Sequence, residues 1–504
     1  MAPDHAVNRE CRRDMRLSPT TLVCVLSITW AVTFSAYSSF LHEYFRSSSL
    51  DMALHSQILW NLGQGHFMQT SFLPYSFAGN HFWPGLYLLV PIYYWFDIHG
   101  VLALQSFIVS SGAFATYLLA KDITNSERWG LALALAYLLQ PTISIGVLFD
   151  FHLELFSIPC SLFALLGLRR RKAWFWPFML LSWAFYEVNI LVWIMLGLAL
   201  SLSRHRRITG GLIFASGFTY MCAVYFLIMP YYRGITDASL PCWGRYSHLG
   251  ENILEAVCTI VIHPIISLTK SISFSEIKGL RYLFAAFGFL SFFSFKHFLP
   301  ALPLLIALLL SNWSVTSDIR YGYVAPIIPF IVLSAAHGAA ALNKRGLAQK
   351  WRLTTRGPII VMVISIFIFF YFQIKKPFRK HPFEIRCNIA ELRLAKGMIA
   401  DGVSLSADNH LGAHYANRRI LVVTPSTRYA DQSVEFVFAD LNETEFKDNE
   451  WWDSMKQLIK GEHYGPVFFT NDVLLLQRGT INPVLAEQAV GRIIEMERLY
   501  KIAK

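Results

Sequence analysis

Residues 169–207 read RRRKAWFWPFMLLSWAFYEVNILVWIMLGLALSLSRHRR, and the number of times this stretch crosses a membrane decides how the rest of the chain is laid out. The 29 residues from Trp174 to Leu202 lie between two basic clusters. One helix through them would put a basic cluster on each side, whereas short loops rich in Lys and Arg stay in the cytoplasm. Two short helices meeting at Tyr186, Glu187, Val188 and Asn189 keep both clusters inside and set Glu187 at the outer surface.

The composition supports a membrane reading. Of the 504 residues, 54% are hydrophobic and 15% charged, and apolar runs of about 17 to 21 residues recur. The expected fold class is therefore a polytopic α-helical membrane protein with about eleven transmembrane helices, which excludes a soluble globular chain. The spans read as 21–41, 101–120, 129–148, 153–168, 174–187, 189–202, 211–230, 282–296, 298–311, 322–342 and 358–374. The net charge of +11 does not mark a nucleic-acid binder, because the basic residues sit in short clusters between apolar runs. Seven scattered cysteines give no zinc spacing and no disulfide framework, although Cys242 and Cys258 are placed to pair in an oxidising compartment.

Parity fixes the sides. Residues 1–20, with Arg12, Arg13 and Arg16, are expected in the cytoplasm, and the first apolar run reads as a retained signal anchor. Residues 42–100 then lie outside. Their run HFWPGLYLLVPIYYWF, His81 to Phe96, is short, aromatic and interrupted by Pro84 and Pro91, as in an interfacial or re-entrant helix. If it is not counted as a crossing, Lys121–Arg128, Arg169–Lys172, Arg204–Arg207 and Lys344–Arg356 all fall inside. The outer side then collects Asp51, the Phe149–Glu154 turn, Glu187, the 231–281 loop and Asp318–Tyr323. The transmembrane domain spans 21–374. After it the composition turns polar, and 380–504 reads as an extracytoplasmic α/β domain. Its short strands are Val403–Ser406, Ile420–Thr424, Val434–Ala439 and Val467–Thr470, with Val473–Gln477 paired across Asn471-Asp472 and a helix over Val484–Tyr500.

Ionisable groups beside lipid are costly and are usually kept for function. Asp51, in DMALHSQILWNLGQGHF, is suited to take a proton from an acceptor hydroxyl, and equally to cap a helix after Ser47–Ser49. Gln57, Trp60 and Asn61 follow it at helical spacing. In FDFHLE, residues 149–154, Asp150, His152 and Glu154 alternate, so an extended turn can project all three into one polar cleft. Such a set can hold sugar hydroxyls or a divalent cation, Mg or Mn. Glu187 is shallow enough to find a partner such as His152, and His81 stands before the aromatic run. Arg245 with Tyr246, and Arg320 with Tyr321 and Tyr323, bring cationic forks and phenol groups to the same side. These suit phosphate binding, and equally an interfacial Arg and aromatic belt.

These motifs resemble a bacterial and archaeal family of membrane proteins of unknown function. The resemblance is carried by Asp51 with Gln57, Trp60 and Asn61; NHFWPGL from Asn80; FDFHLE from Phe149; Glu187; RYSHLG from Arg245; YGYVAPIIPF from Tyr321; and SLSADNHLGAHYANRR from Ser404. The chain departs from the family pattern at Asn80, where Asp is usual, at Leu153, where Pro is usual, and at Tyr186–Val188, which replaces Lys-Glu-Asp.

That family resembles the GT-C superfamily of polytopic glycosyltransferases. The resemblance implies an acidic first outer loop with juxtamembrane helices, a second acidic outer loop, a C-terminal extracytoplasmic domain and a polyprenyl-phosphate-linked sugar donor. Location in a bacterial or archaeal plasma membrane follows. On this reading Asp51 is the base, with Asp150 the second candidate. His81, His152, Glu154, Glu187 and Gln57 hold donor or acceptor, and Arg245, Arg320, Tyr321 and Tyr323 hold the phosphate. A lipid-linked donor also accounts for the lack of a nucleotide fingerprint. Two other readings stand beside it. One is a lipid or solute transporter, disfavoured by acids at helix ends and by the lack of a visible repeat; the other is a non-catalytic assembly protein with the same fold.

Overall fold

The computed structural model describes residues 17–234, 243–263, 267, 274–319, 321–344, 353–375, 386–430, 432–443, 447–461 and 463–503. Arg320 and Cys242, and the N-terminal cluster of Arg12, Arg13 and Arg16, lie outside the described residues. Cys258 is exposed and carries a free thiol.

Helix α1 (Pro19–Glu43) starts where the sequence supplies a cap. Ser18 Oγ accepts the Thr21 N–H at 3.1 Å, and Pro19 occupies the first helical position. After it the chain makes one wide helical turn, Ser49–Ala53, and runs directly into α2 (Leu54–Gly63). The aromatic run expected to lie at the interface forms a tight turn over Pro84–Leu89 and enters α3 (Val90–Thr124). Asp97, in a left-handed conformation at φ 53°, breaks α3 and separates that run from the span beyond. Trp95 and Phe96 are 73% and 63% exposed just before the break.

Helices α4 (Glu127–Leu138), α5 (Pro141–Leu148), α6 (Ser157–Arg170), α7 (Phe175–Phe185) and α8 (Asn189–Ser201) follow. The apolar stretch between the basic clusters does form two helices. They part at Tyr186, whose extended backbone (φ −158°, ψ 105°) ends α7. Among the described residues six helices are long and apolar enough to cross a membrane, seven if the bent pair Leu290–His297 and Leu299–Leu310 is one span. That is fewer than the eleven spans expected. Helices α6, α7 and α8 have 14, 11 and 13 residues, and at about 1.5 Å per residue none alone covers a hydrocarbon core of about 30 Å. Close approach holds the bundle together. The Tyr137 hydroxyl donates to Val109 O at 2.7 Å, and its ring sits where Gly112 has no side chain to obstruct it.

The C-terminal domain carries a five-stranded sheet in the order β2-β1-β5-β7-β6. Strands β1 (Leu405–Ala407), β2 (Leu421–Val423) and β5 (Phe436–Asp440) are parallel; β6 (Tyr464–Thr470) and β7 (Val473–Arg478) form the antiparallel hairpin. Asn471 and Asp472, both left-handed at φ 48° and 66°, make its two-residue turn. A small hairpin of β3 (Arg428–Tyr429) and β4 (Gln432–Ser433) and the helices Ile389–Gly397 and Asn449–Lys460 were not anticipated from the sequence. The second of these helices buries Trp451, Trp452, Met455 and Ile459 against Ala489 and Ile493 of the final helix.

The carboxyl ends of the parallel strands point at the segment that carries Asp51. Immediately after β1, Asn409 Oδ1 accepts the Ser49 N–H at 3.0 Å and its carbonyl accepts Ser49 Oγ at 2.7 Å, while His410 Nδ1 donates to Ser47 O at 2.8 Å. The Asp408 carboxylate, 3.2 Å from Lys447 Nζ, accepts the Asp440 N–H at 2.8 Å and braces these strand ends from behind. Sheet and membrane helices thus meet at the first outer segment.

Candidate active site

Ser48, not Asp51, caps the turn before α2: its hydroxyl accepts the Asp51 N–H at 3.3 Å and donates to Asp51 Oδ2 at 3.3 Å. This leaves Asp51 in the first turn of a helix whose N-terminal end favours negative charge. The Ser48 N–H, in turn, donates to Asp150 Oδ2 at 2.9 Å. Ser48, 102 positions before Asp150, therefore ties the two candidate carboxylates together.

The FDFHLE turn is held from inside the bundle. Gln105, fully buried on α3, donates to Val147 O at 3.2 Å and Asp150 O at 3.1 Å, and accepts the His152 N–H at 2.7 Å. Ser38 of α1 also donates to Val147 O at 2.8 Å. Clamped this way, Asp150 adopts a left-handed φ of 55°, a conformation Asp tolerates. His152 and Glu154 form an ion pair at 2.9 Å. Asp51 senses the charges of His152, Asp150 and Glu154 together, so the acids from two stretches share one electrostatic site. Burial pushes the Asp51 carboxyl up to about 6, more than the His152 charge holds it down. Burial opposes a charge on His152, but Glu154, Asp51 and Asp150 outweigh it and lift the imidazole to about 9.

Glu187 departs from expectation in two respects. It is buried to 2% exposure, deeper than the shallow burial expected, and its partner is His81 rather than His152. His81 Nδ1 meets Glu187 Oε1 at 2.8 Å, and the Trp83 indole N–H donates to the other oxygen. Between this pair and the Asp51 group lies His55, which the sequence reading passed over. Its Nδ1 donates to Asp51 O at 2.7 Å, and its ring stacks on Trp83 at 5.6 Å and 6° and meets Phe77 and Phe151 edge-on. Burial pulls the His55 imidazole down to about 4, so it is neutral at physiological pH. Among the described residues His55 Nε2, His152 Nε2 and Glu154 Oε2 are buried without a hydrogen-bond partner. Buried polar atoms of this kind normally have partners, and three around one spot mark a place for a polar ligand.

The other candidates fall into two groups. Tyr321 meets Phe149 edge-on at 5.7 Å, and the backbone at Gly322 presses against the Glu154 carboxylate. Tyr323 packs on Trp313 at 5.8 Å, and the Arg245 guanidinium lies over both rings, 4.1 Å from Trp313 and 5.6 Å from Tyr323. Gln57 belongs to the framework. Its amide donates to Ser71 Oγ at 3.0 Å and Arg418 O at 2.8 Å and accepts from Thr70 Oγ1 and Ser71 N, both at 2.8 Å. Among the described residues no group of three or more His, Cys, Asp or Glu side chains is arranged to hold a metal ion.

Residues 41–475, most of the chain, match the family described as Predicted membrane protein (DUF2079). The chain belongs to that family. No curated protein matches this DUF2079 sequence. Among solved structures the DUF2079 fold is similar to ArnT from Cupriavidus metallidurans bound to undecaprenyl phosphate. The TM-score is 0.52 at 13% identity, over 90% of this chain and 97% of that one. The apo state of the same protein gives 0.51 at 13% identity, over 91% and 98%. The oligosaccharyltransferase from Archaeoglobus fulgidus matches with 0.38 at 11% identity, over 92% of this chain and 73% of that one. At such identity the ArnT similarity identifies a fold alone: this DUF2079 chain shares the overall fold of ArnT, with membrane-capable helices and a sheet-containing C-terminal domain.

Proposed function

We propose that the protein is a membrane glycosyltransferase. It moves a sugar from a polyprenyl-phosphate donor to an acceptor hydroxyl at the outer membrane face, with inversion. The observation that carries this reading is the shared site of Asp51, Asp150, His152 and Glu154, built from two segments far apart in sequence. The undecaprenyl phosphate bound by ArnT supports a donor of that lipid class.

In the proposed step the acceptor oxygen gives its proton to the Asp51 carboxylate and bonds to the anomeric carbon. The bond from that carbon to the phosphate oxygen breaks, and polyprenyl phosphate leaves with the electron pair. Asp150 is the second candidate base, held beside Asp51 through Ser48. The buried free nitrogens of His55 and His152 and the Glu154 oxygen bind sugar hydroxyls, and His81 with Glu187 closes the far side of the site. Arg245 with Tyr321 and Tyr323, and Arg320 by its place in the sequence, counter the charge developing on the phosphate.

The test is the protein in liposomes with a labelled polyprenyl-phosphate sugar. Wild type should transfer the head group, and Asp51→Asn should lose roughly 10²–10⁴-fold in rate with unchanged expression and membrane insertion. Translocation of the lipid without transfer would identify a carrier instead. Full activity in both Asp51→Asn and Asp150→Asn would remove the assignment.

A further inference from the structure

A cleft of about 530 Å³ opens between the end of α2, the loop around Gln69 and Tyr75, and the β3–β4 hairpin. It shares no residue with the Asp51 group. Only three of its eleven lining residues are apolar; the rest include Asn61, Gln69, Tyr75, Arg419, Tyr429 and Gln432. We propose that this cleft binds a stretch of oligosaccharide belonging to the acceptor.

The lining selects the ligand class. Amides and hydroxyls both donate and accept, which matches a chain dense in uncharged hydroxyls, and tyrosine rings offer flat faces to the C–H faces of sugar rings. A lipid tail needs a continuous wall of apolar side chains, and this lining offers only Pro74, Ile420 and Ala430. A nucleotide or polyphosphate needs more cationic forks than Arg419 alone supplies. An extended peptide calls for side-chain pockets with apolar or charged anchors.

The position selects the size. Asn61 lies ten residues beyond Asp51 along the wide turn and α2, roughly 15 Å at the rise of a helix. A ligand that reaches the cleft while presenting a hydroxyl to Asp51 is therefore several sugars long. The two places are mechanically joined. Gln57, midway along α2, donates to the carbonyl of Arg418 and to that of Arg419, and Asn61 Nδ2 donates to Gln69 O at 2.9 Å. The cleft wall and the Asp51 turn therefore move as one body. This inference rests on the glycosyl-transfer reading for its orientation, though not for the chemistry of the cleft.

The experiment places p-benzoylphenylalanine at the exposed position 432 of the full chain, with an equivalent label at Leu254 as control. The protein is irradiated in membranes of its source organism and the adducts are read by mass spectrometry. The expected adduct gains mass in hexose or hexosamine increments and is lost on periodate treatment. A peptide adduct, a purely acyl adduct, or none above the control overturns the proposal. Tyr429→Ala should raise the KM for an oligosaccharide acceptor at least tenfold while donor hydrolysis by water is unchanged. An unchanged KM overturns it equally. If sugar adducts form but Asp51→Asn and Asp150→Asn both transfer normally, the cleft stands as a carbohydrate site and the catalytic reading falls.

Discussion

Asp51 sets the pH behaviour of the proposed reaction. Burial holds its carboxyl near pH 6 rather than at the 3.8 of an exposed Asp. The base form is the carboxylate, so its fraction is full above pH 7 and falls as pH drops through about 6. Transfer should decline toward tenfold per pH unit on the acid side, measured as kcat/KM against pH in liposomes. A limb centred near pH 4 would show that another group is the base. The histidines bear on the acid limb differently: His55 stays neutral down to about 4 and His152 stays cationic up to about 9, so neither accounts for a break at 6. Asp51, Asp150, His152, Glu154 and Glu187 were legible because charge at the end of an apolar run is conspicuous. His55 was not, since a lone histidine on an amphipathic helix has no pattern of its own. Its one signal was the four-residue spacing from Asp51, which puts both on one helical face.

At the scale of elements the site depends on two clamps on the FDFHLE turn. Gln105 grips its backbone from α3, and the Gly322 backbone lies against Glu154 from the other side. A Cβ at Gly322 would stand 2.2 Å from Glu154 Oε1, 2.3 Å from its Cγ and 2.6 Å from its Cδ, so the whole Glu154 side chain has to shift. Gly322→Ala should therefore lower stability by about 1–3 kcal/mol, while Glu154 is turned from His152 and transfer drops at least tenfold. Circular dichroism melting and the liposome assay together check this; a stable variant with wild-type transfer would show that the Glu154 position is immaterial. The alternation in FDFHLE announced that its polar residues belong together. It did not announce that Asp150 would be held toward Ser48 while His152 and Glu154 pair with each other, because that depends on a buried glutamine 45 residues earlier. The helix hairpin around Glu187 was readable from the flanking basic clusters. The inward course of Glu187 was not, because positive charge outside a hairpin fixes its ends and says nothing of how deep its tip is packed.

Across the whole molecule, the C-terminal domain is fastened to the membrane part through the first outer segment. Gln57 alone makes hydrogen bonds to Thr70, Ser71 and the Arg418 carbonyl. Gln57→Leu takes this partner from the Ser71 N–H, the Thr70 hydroxyl and the Arg418 carbonyl, while Ser71 Oγ keeps its bonds to Leu421, at a cost of about 1–3 kcal/mol. Trypsin should then cut the C-terminal domain faster, with the membrane helices still inserted; unchanged cleavage would mean the two parts hold together by other contacts. The strands of that domain and the hairpin turn at Asn471-Asp472 were visible from alternation and turn residues, whereas the seam was invisible because its partners lie far apart in sequence. The two counts of spans differ for a physical reason: a hydrophobic run shows what is buried, whereas α6, α7 and α8 are each too short to cover a hydrocarbon core alone.

The partners of Ser49 and Gln57 stand 360 and 361 residues further along the chain. While the ribosome is still working through the helices, the turn that bears the proposed base has only its contacts within the membrane part to rest on. Only when the last fifth of the polypeptide has emerged and taken shape is that turn gripped. Order of synthesis thereby acts as an interlock, since a product cut short before Asn409 carries every acidic group of the site yet lacks the brace that aligns them.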